Sequence, residues 1–172
     1  MKKLLQFSGF IALACGLFAF ILVLATNAIV FKSGNLQVVT AGTTALFGKT
    51  ESTTVLGQTV TSTTKPSVLA LIGWILLILA MIIVCLNVVL PLLKVKALEK
   101  YATLMSFVAL GLFVVAGIFF FIVVPTFISA NGGDKVPDGT SIGAGWVIAG
   151  IFSLVAGGFA ALPPIFAMVG KK

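Results

Sequence analysis

Four long apolar runs, separated by shorter polar stretches, set the pattern of this chain: Leu4–Phe31, Val68–Leu93, Tyr101–Ala130 and Ile142–Val169, none holding a charged residue. About 20 residues at 1.5 Å rise cross a hydrocarbon core of roughly 30 Å, so each run is long enough to span once. None alternates apolar and polar positions as a barrel strand does, and only helices then satisfy the backbone in lipid. The pattern predicts an all-α integral membrane protein, a bundle of four transmembrane helices with a small β-like first external loop. Residues 1–172 form one membrane domain on this reading. Its helices lie at about 4–31, 68–93, 101–130 and 142–169, its external loops at 32–67 and 131–141, and its cytoplasmic loop at 94–100.

Lysines set the expected orientation. Lys2, Lys3, Lys94, Lys96, Lys100, Lys171 and Lys172 fall at one set of segment ends beside a single acid, Glu99. Lys32, Lys49, Lys65 and Lys135 fall at the other set, beside Glu51, Asp134 and Asp138. The basic excess places both termini inside. The net charge of +7 then reads as a topology signal. Its scatter over small clusters argues against nucleic acid and leaves weak attraction to anionic headgroups. Lys2, Lys3 and a Thr26-Asn27-Ala28 run give the first segment a look of a signal peptide, but its apolar run is about twice the usual 7–15 residues, which predicts a retained anchor helix.

Composition adds what chemistry is excluded. With 60% hydrophobic and 9% charged residues and a mean hydropathy of +1.25, neither a soluble globule nor a disordered chain fits. The chain has no His and no Arg. A Ser–His pair and a His-based metal site are therefore excluded, and the spans hold no ionisable carboxylate or amine of the kind that marks pumps and ion-coupled transporters. No phosphate-binding or dinucleotide-binding glycine pattern occurs. The expectation is a chain that is not an enzyme and needs no cofactor. Cys15 and Cys85 both fall inside predicted helices and read as small hydrophobes, leaving the external loops without a disulfide.

The first external loop holds ten Thr and four Ser among its 36 residues. Within it, residues 42–50 echo residues 52–59 with one residue dropped, and both copies are β-branched and bounded by Gly. They predict two short paired strands, with Leu36, Val38 and Val39 as a third. In the second loop, Val136-Pro137-Asp138-Gly139 is a turn signal. Asn131, Asp134 and Asp138 lack the spacing of a calcium loop, so no metal site is expected.

Packing is the work this sequence visibly supports. In the fourth run Ser141, Gly145, Ala149, Ser153, Gly157 and Ala161 recur at a spacing of four, a row of small side chains that suits close helix approach. Ser8, Ala12 and Gly16 repeat the pattern in the first run, and Gly73 and Ala80 share a face with Asn87 in the second. Asn87 is the most polar side chain well inside a span; it reads as an interhelical hydrogen bond, or more sharply as a polar spot on a substrate or ion path. Pro91, four residues on, together with Pro125 and Pro163-Pro164, reads as kinks or helix ends. Trp74, Trp146 and Tyr101 fall near segment ends, where aromatic rings anchor at the headgroup level.

The layout is similar to that of claudin-like four-span proteins, with cytoplasmic termini, a larger strand-bearing first external loop and a short second one. Claudins carry a Trp, a Gly-Leu-Trp and paired cysteines in that loop. The loop at 32–67 has no Trp and no Cys, so order and length alone are shared and no family follows.

Two functions fit. One is a non-catalytic structural or accessory membrane protein that packs laterally in the bilayer, through its small-residue faces, against other membrane subunits or its own copies and presents the Thr-rich loop. The other is a channel, transporter subunit or lipid-handling protein whose path forms on oligomerisation. The use of Lys to the exclusion of Arg, with Cys-free loops, points to a bacterial plasma membrane.

Overall fold

The structure is a computed structural model that describes residues 2–55, 58–92 and 101–169. Four long helices dominate: α1 (Lys2–Ala25), α3 (Val68–Leu92), α4 (Ala102–Phe121) and α6 (Ala144–Val169). Each carries a stretch long and apolar enough to cross a membrane: Phe7–Ala25, Val68–Val89, Ala102–Phe121 and Ala144–Phe166. Around the bundle the order is α1, α3, α4, α6 and back to α1, so every long helix packs on its neighbours in sequence. Consecutive helices run antiparallel. The start of α1 meets the end of α3 where Gly9 faces Val88, and the end of α3 meets the start of α4 where Asn87 bonds Ser106.

The core is built from large rings and small gaps. Phe113 and Phe120 of α4, Leu77 of α3 and Val23 of α1 are fully buried, and Ala12, Ala19, Ala80, Ala149 and Ala156 let the backbones close around them. Outward positions such as Phe10, Ile21, Ile75, Ile82 and Ile151 stay exposed and apolar, as lipid-facing positions would.

Among the described residues, one end of the bundle carries all the strands. β1 (Asn27–Ser33) leaves α1 after a single residue, turns through Gly34 and Asn35, and returns as β2 (Leu36–Ala41). Gly34 holds a positive φ of 57°, which the tight two-residue turn requires. β5 (Thr140–Ile142) adds to the other side of β1, giving a three-stranded antiparallel sheet in the order β2-β1-β5. The short helix α2 (Gly42–Phe47) follows β2 and buries Ala45 and Leu46; β3 (Lys49–Val55) then pairs with β4 (Gln58–Thr64) as a separate hairpin.

Several boundaries differ from the expected ones. The run 4–31 is not one helix: α1 ends at Ala25 and residues 27–31 are strand, because β1 finds partners in both β2 and β5. Within 42–50, residues Gly42–Phe47 are helix and not strand, so only the second copy of the repeat enters the hairpin throughout its described length. The run 101–130 breaks at Ile122 into α4 and α5 (Val123–Ala130). Pro125 accounts for the break, since it has no N–H to offer the carbonyl four residues back. The run 142–169 yields a helix only from Ala144, and that helix continues through Pro163 and Pro164. Loop 94–100 and Lys171–Lys172 lie outside the described residues, and nothing is described of the side chains of Lys2, Lys3 and Pro91.

Candidate functional site

Polar side chains gather at two levels of the bundle. The larger group lies where the strands join the helices. The last turn of α1 leaves carbonyls without intrahelical partners, and the tertiary structure supplies donors. The Leu22 carbonyl accepts the Thr26 amide at 3.1 Å and its hydroxyl at 2.7 Å, and the Trp146 indole N–H donates to the Val23 carbonyl at 3.1 Å. The Gly42 amide donates to the Thr26 carbonyl at 2.8 Å. This junction admits no Cβ at three of its positions: at Gly42 it would overlap the Val23 carbonyl, at Gly143 the Asn27 carbonyl, and at Gly145 the Thr26 side chain.

Ser67 caps α3 beside this junction. It is fully buried, its amide donates to the Ala45 carbonyl at 2.8 Å, and its hydroxyl lies 2.7 Å from that of Thr126. Thr126 in turn donates its hydroxyl to the Ile122 and Val123 carbonyls, both at 3.0 Å, which ties it to the turn that opens α5. One step further out, the Asn131 side chain pairs with the backbone of Lys65 as a strand would. It accepts from the Lys65 amide at 2.8 Å and donates to the Lys65 carbonyl at 3.1 Å. A shallow groove of about 410 Å³, lined by Val68, Leu69, Pro125, Thr126, Ser129 and Ala130, runs beside it.

The second level lies toward the opposite end. The Asn87 amide donates to the Ser106 hydroxyl at 3.2 Å and to the Ala102 carbonyl at 3.4 Å. Its Oδ1 is enclosed and has no hydrogen-bond partner among the described residues. Thus Asn87 ties α3 to the start of α4.

The small residues singled out in the sequence mostly face inward. Ser8, Ala12 and Gly16 are buried, and a Cβ on Gly16 would sit 2.9 Å from Met81 Cγ and 3.2 Å from Phe113 Cε1. Gly73 and Ala80 are buried on α3. On α6, Ala149, Ser153, Gly157 and Ala161 are all buried, and the Ser153 hydroxyl donates to the Phe113 carbonyl at 2.8 Å. Gly145 is half-buried against Thr26. Ser141 does not belong to the row: it precedes the helix, lies in β5 and is exposed.

Trp146 corrects its expected place as a lipid anchor. It is 0% exposed, with its ring edge-on to Phe120 at 5.6 Å, because the strands cover this end of α6. Trp74 is half-buried, stacked on Phe20 at 5.4 Å and edge-on to Phe47 at 5.5 Å, and its buried N–H has no partner among the described residues. Tyr101 is 46% exposed just before α4. The capping network of Ser67, Thr126 and Asn131 was not anticipated; Ser67 before an apolar run was the available signal.

Nothing gathered at either level supplies a proton-transferring or nucleophilic constellation. The described Lys, Asp and Glu side chains lie on the strands and their connections, where Lys49 and Glu51 form an exposed ion pair. No cluster of three or more His, Cys, Asp or Glu occurs among the described residues. Neither known family models nor curated proteins match this chain.

Proposed function

We propose that this chain is a non-catalytic accessory protein of a cell membrane, with four spans, both termini on the inner side, and the strand-bearing end outside. It associates laterally with other membrane subunits and presents the Thr-rich strands to the exterior. The plasma membrane of a bacterium is the setting we favour, on the lysine-only basic composition.

The observation that carries this reading is the filling of the bundle interior. Phe113, Phe120, Leu77 and Val23 are fully buried among alanines from every long helix, and the carbonyls at the end of α1 are capped by donors from the chain itself. An interior packed in this way supports a scaffold role better than a conduit. It also spends the small-residue faces inside the chain, which leaves the outward apolar faces and the strands for partners.

Chemical crosslinking in the native membrane, followed by gentle solubilisation, tests the proposal. The expected result is a defined membrane partner in fixed ratio, crosslinked through residues of the strands or the outward helix faces. Recovery of the chain alone, with a catalytic turnover of its own, would overturn it.

A second reading has one observation in its favour. The enclosed Oδ1 of Asn87, without a partner among the described residues, is what a polar spot on a substrate path would leave in a resting bundle. Asn87→Leu would abolish transport on that reading and leave an accessory role intact.

A further inference from the structure

We infer that the free end of the β1–β2 hairpin lies on the bilayer surface, with Leu36 and Val38 in the lipid interface and Lys32 and Gln37 turned to water. The inference rests on the reading that the four long helices span a membrane.

Register and burial assign the two faces of the sheet. Side chains directly opposite one another across antiparallel strands share a face. The pairs Ile29↔Thr40, Phe31↔Val38 and Ser33↔Leu36 therefore line one face, together with Ile142, the partner of Ile29 on β5. The pairs Val30↔Val39 and Lys32↔Gln37 line the other.

The first face is the one directed at the bundle. Ile29 is only 5% exposed and belongs to the core, and Ile142 packs against it. Exposure on that same face rises along the hairpin: Phe31 is half-buried, Val38 is 61% exposed and Leu36 is 74% exposed. A face that begins on the bundle end thus continues along the hairpin with less and less protein against it, apolar at Phe31, Val38 and Leu36 and polar only at Ser33 and Thr40. For a bundle that crosses a bilayer, lipid is the occupant we assign to these uncovered apolar side chains.

The opposite face suits this placement. Lys32 and Gln37 are exposed there, with Val39 as its one exposed apolar side chain. A lysine at this level can extend its ammonium to lipid phosphates while its stem lies along apolar surface. An amphipathic element with one apolar and one polar face is what rests in an interface, and burial of its apolar side chains drives the contact.

The test uses single cysteines in the full chain after Cys15→Ala and Cys85→Ala, each labelled with an environment-sensitive fluorophore and reconstituted in vesicles of mixed zwitterionic and anionic phospholipid. Labels at positions 36 and 38 are expected to emit at shorter wavelength than one at 37, and to be quenched at least about twofold more by lipids carrying a nitroxide on the upper acyl chain. A label at Ile82, an outward position on α3, reports the membrane reading separately. Quenching at 82 with equal, weak lipid quenching at 36, 37 and 38 overturns the hairpin placement alone. Absence of lipid quenching at 82 overturns the membrane reading on which it rests. Labels at 36 and 38 shielded from both lipid and aqueous quenchers would mean that protein, such as a second copy, covers this face, which also overturns the inference.

Discussion

The Trp146→Phe substitution separates the hydrogen bond at the helix junction from the packing around it. Trp146 is fully buried, its N–H donates to the Val23 carbonyl at 3.1 Å, and that carbonyl stands in the last turn of α1 with no intrahelical partner to fall back on. Phenylalanine keeps an aromatic ring against Phe120 but removes the donor. A buried acceptor left unsatisfied costs about 1–3 kcal/mol. The smaller ring also leaves a void, which adds a cavity cost. Trp74→Phe is the internal control, because the Trp74 N–H is buried without an acceptor among the described residues and its removal forfeits no such bond. Reversible unfolding in mixed micelles, followed by far-ultraviolet circular dichroism, gives both stabilities. Trp146→Phe is expected to fall below Trp74→Phe by about 1–3 kcal/mol. Equal losses, or a larger loss at Trp74, would refute the assignment of Trp146 as a cap on α1.

Other substitutions test the same packing. Gly157→Val is expected to cost about 1–3 kcal/mol in the same unfolding assay, since its Cβ would lie 3.1 Å from Phe113 Cβ, whereas Gly158→Ala, with nothing within 4 Å, is expected to be neutral or slightly stabilising. Ser153→Ala forfeits the 2.8 Å bond to the Phe113 carbonyl and is expected to cost about 0.6 kcal/mol, near the average for polar contacts between membrane helices. Asn131→Ala removes both bonds to the Lys65 backbone and is expected to speed amide exchange at Lys65 about tenfold, read by hydrogen–deuterium exchange. Unchanged exchange there would mean that other contacts hold this connection.

The four long apolar helices were legible because uninterrupted apolar length is a local property. Strand partners are not local, and this is where the sequence misled. Ile29, Val30 and Phe31 resume the hydropathy of α1 after only Thr26 and Asn27, yet they pair with β2 and with β5, and Ile29 lies opposite Ile142. Their hydrophobicity serves a sheet resting on the bundle, and apolar content does not distinguish that from helix. The same pairing removes Ser141 from the row on α6 and buries Trp146, whose position near a span end suits an anchor only if no strand covers it. Gly42–Phe47 shows the reverse case. Its β-branched composition suggests a strand, but Ala45 and Leu46 must reach the core in the short space between β2 and β3, and one turn and a half of helix does that. The row from Gly145 to Ala161 was readable because a spacing of four keeps neighbouring positions close on any helix.

Ion and small-solute flux through vesicles holding the purified chain alone tests the central claim most directly. A filled, non-catalytic bundle predicts permeability equal to that of protein-free vesicles at every protein-to-lipid ratio. Flux that rises with the amount of protein and is abolished by Asn87→Leu would contradict it.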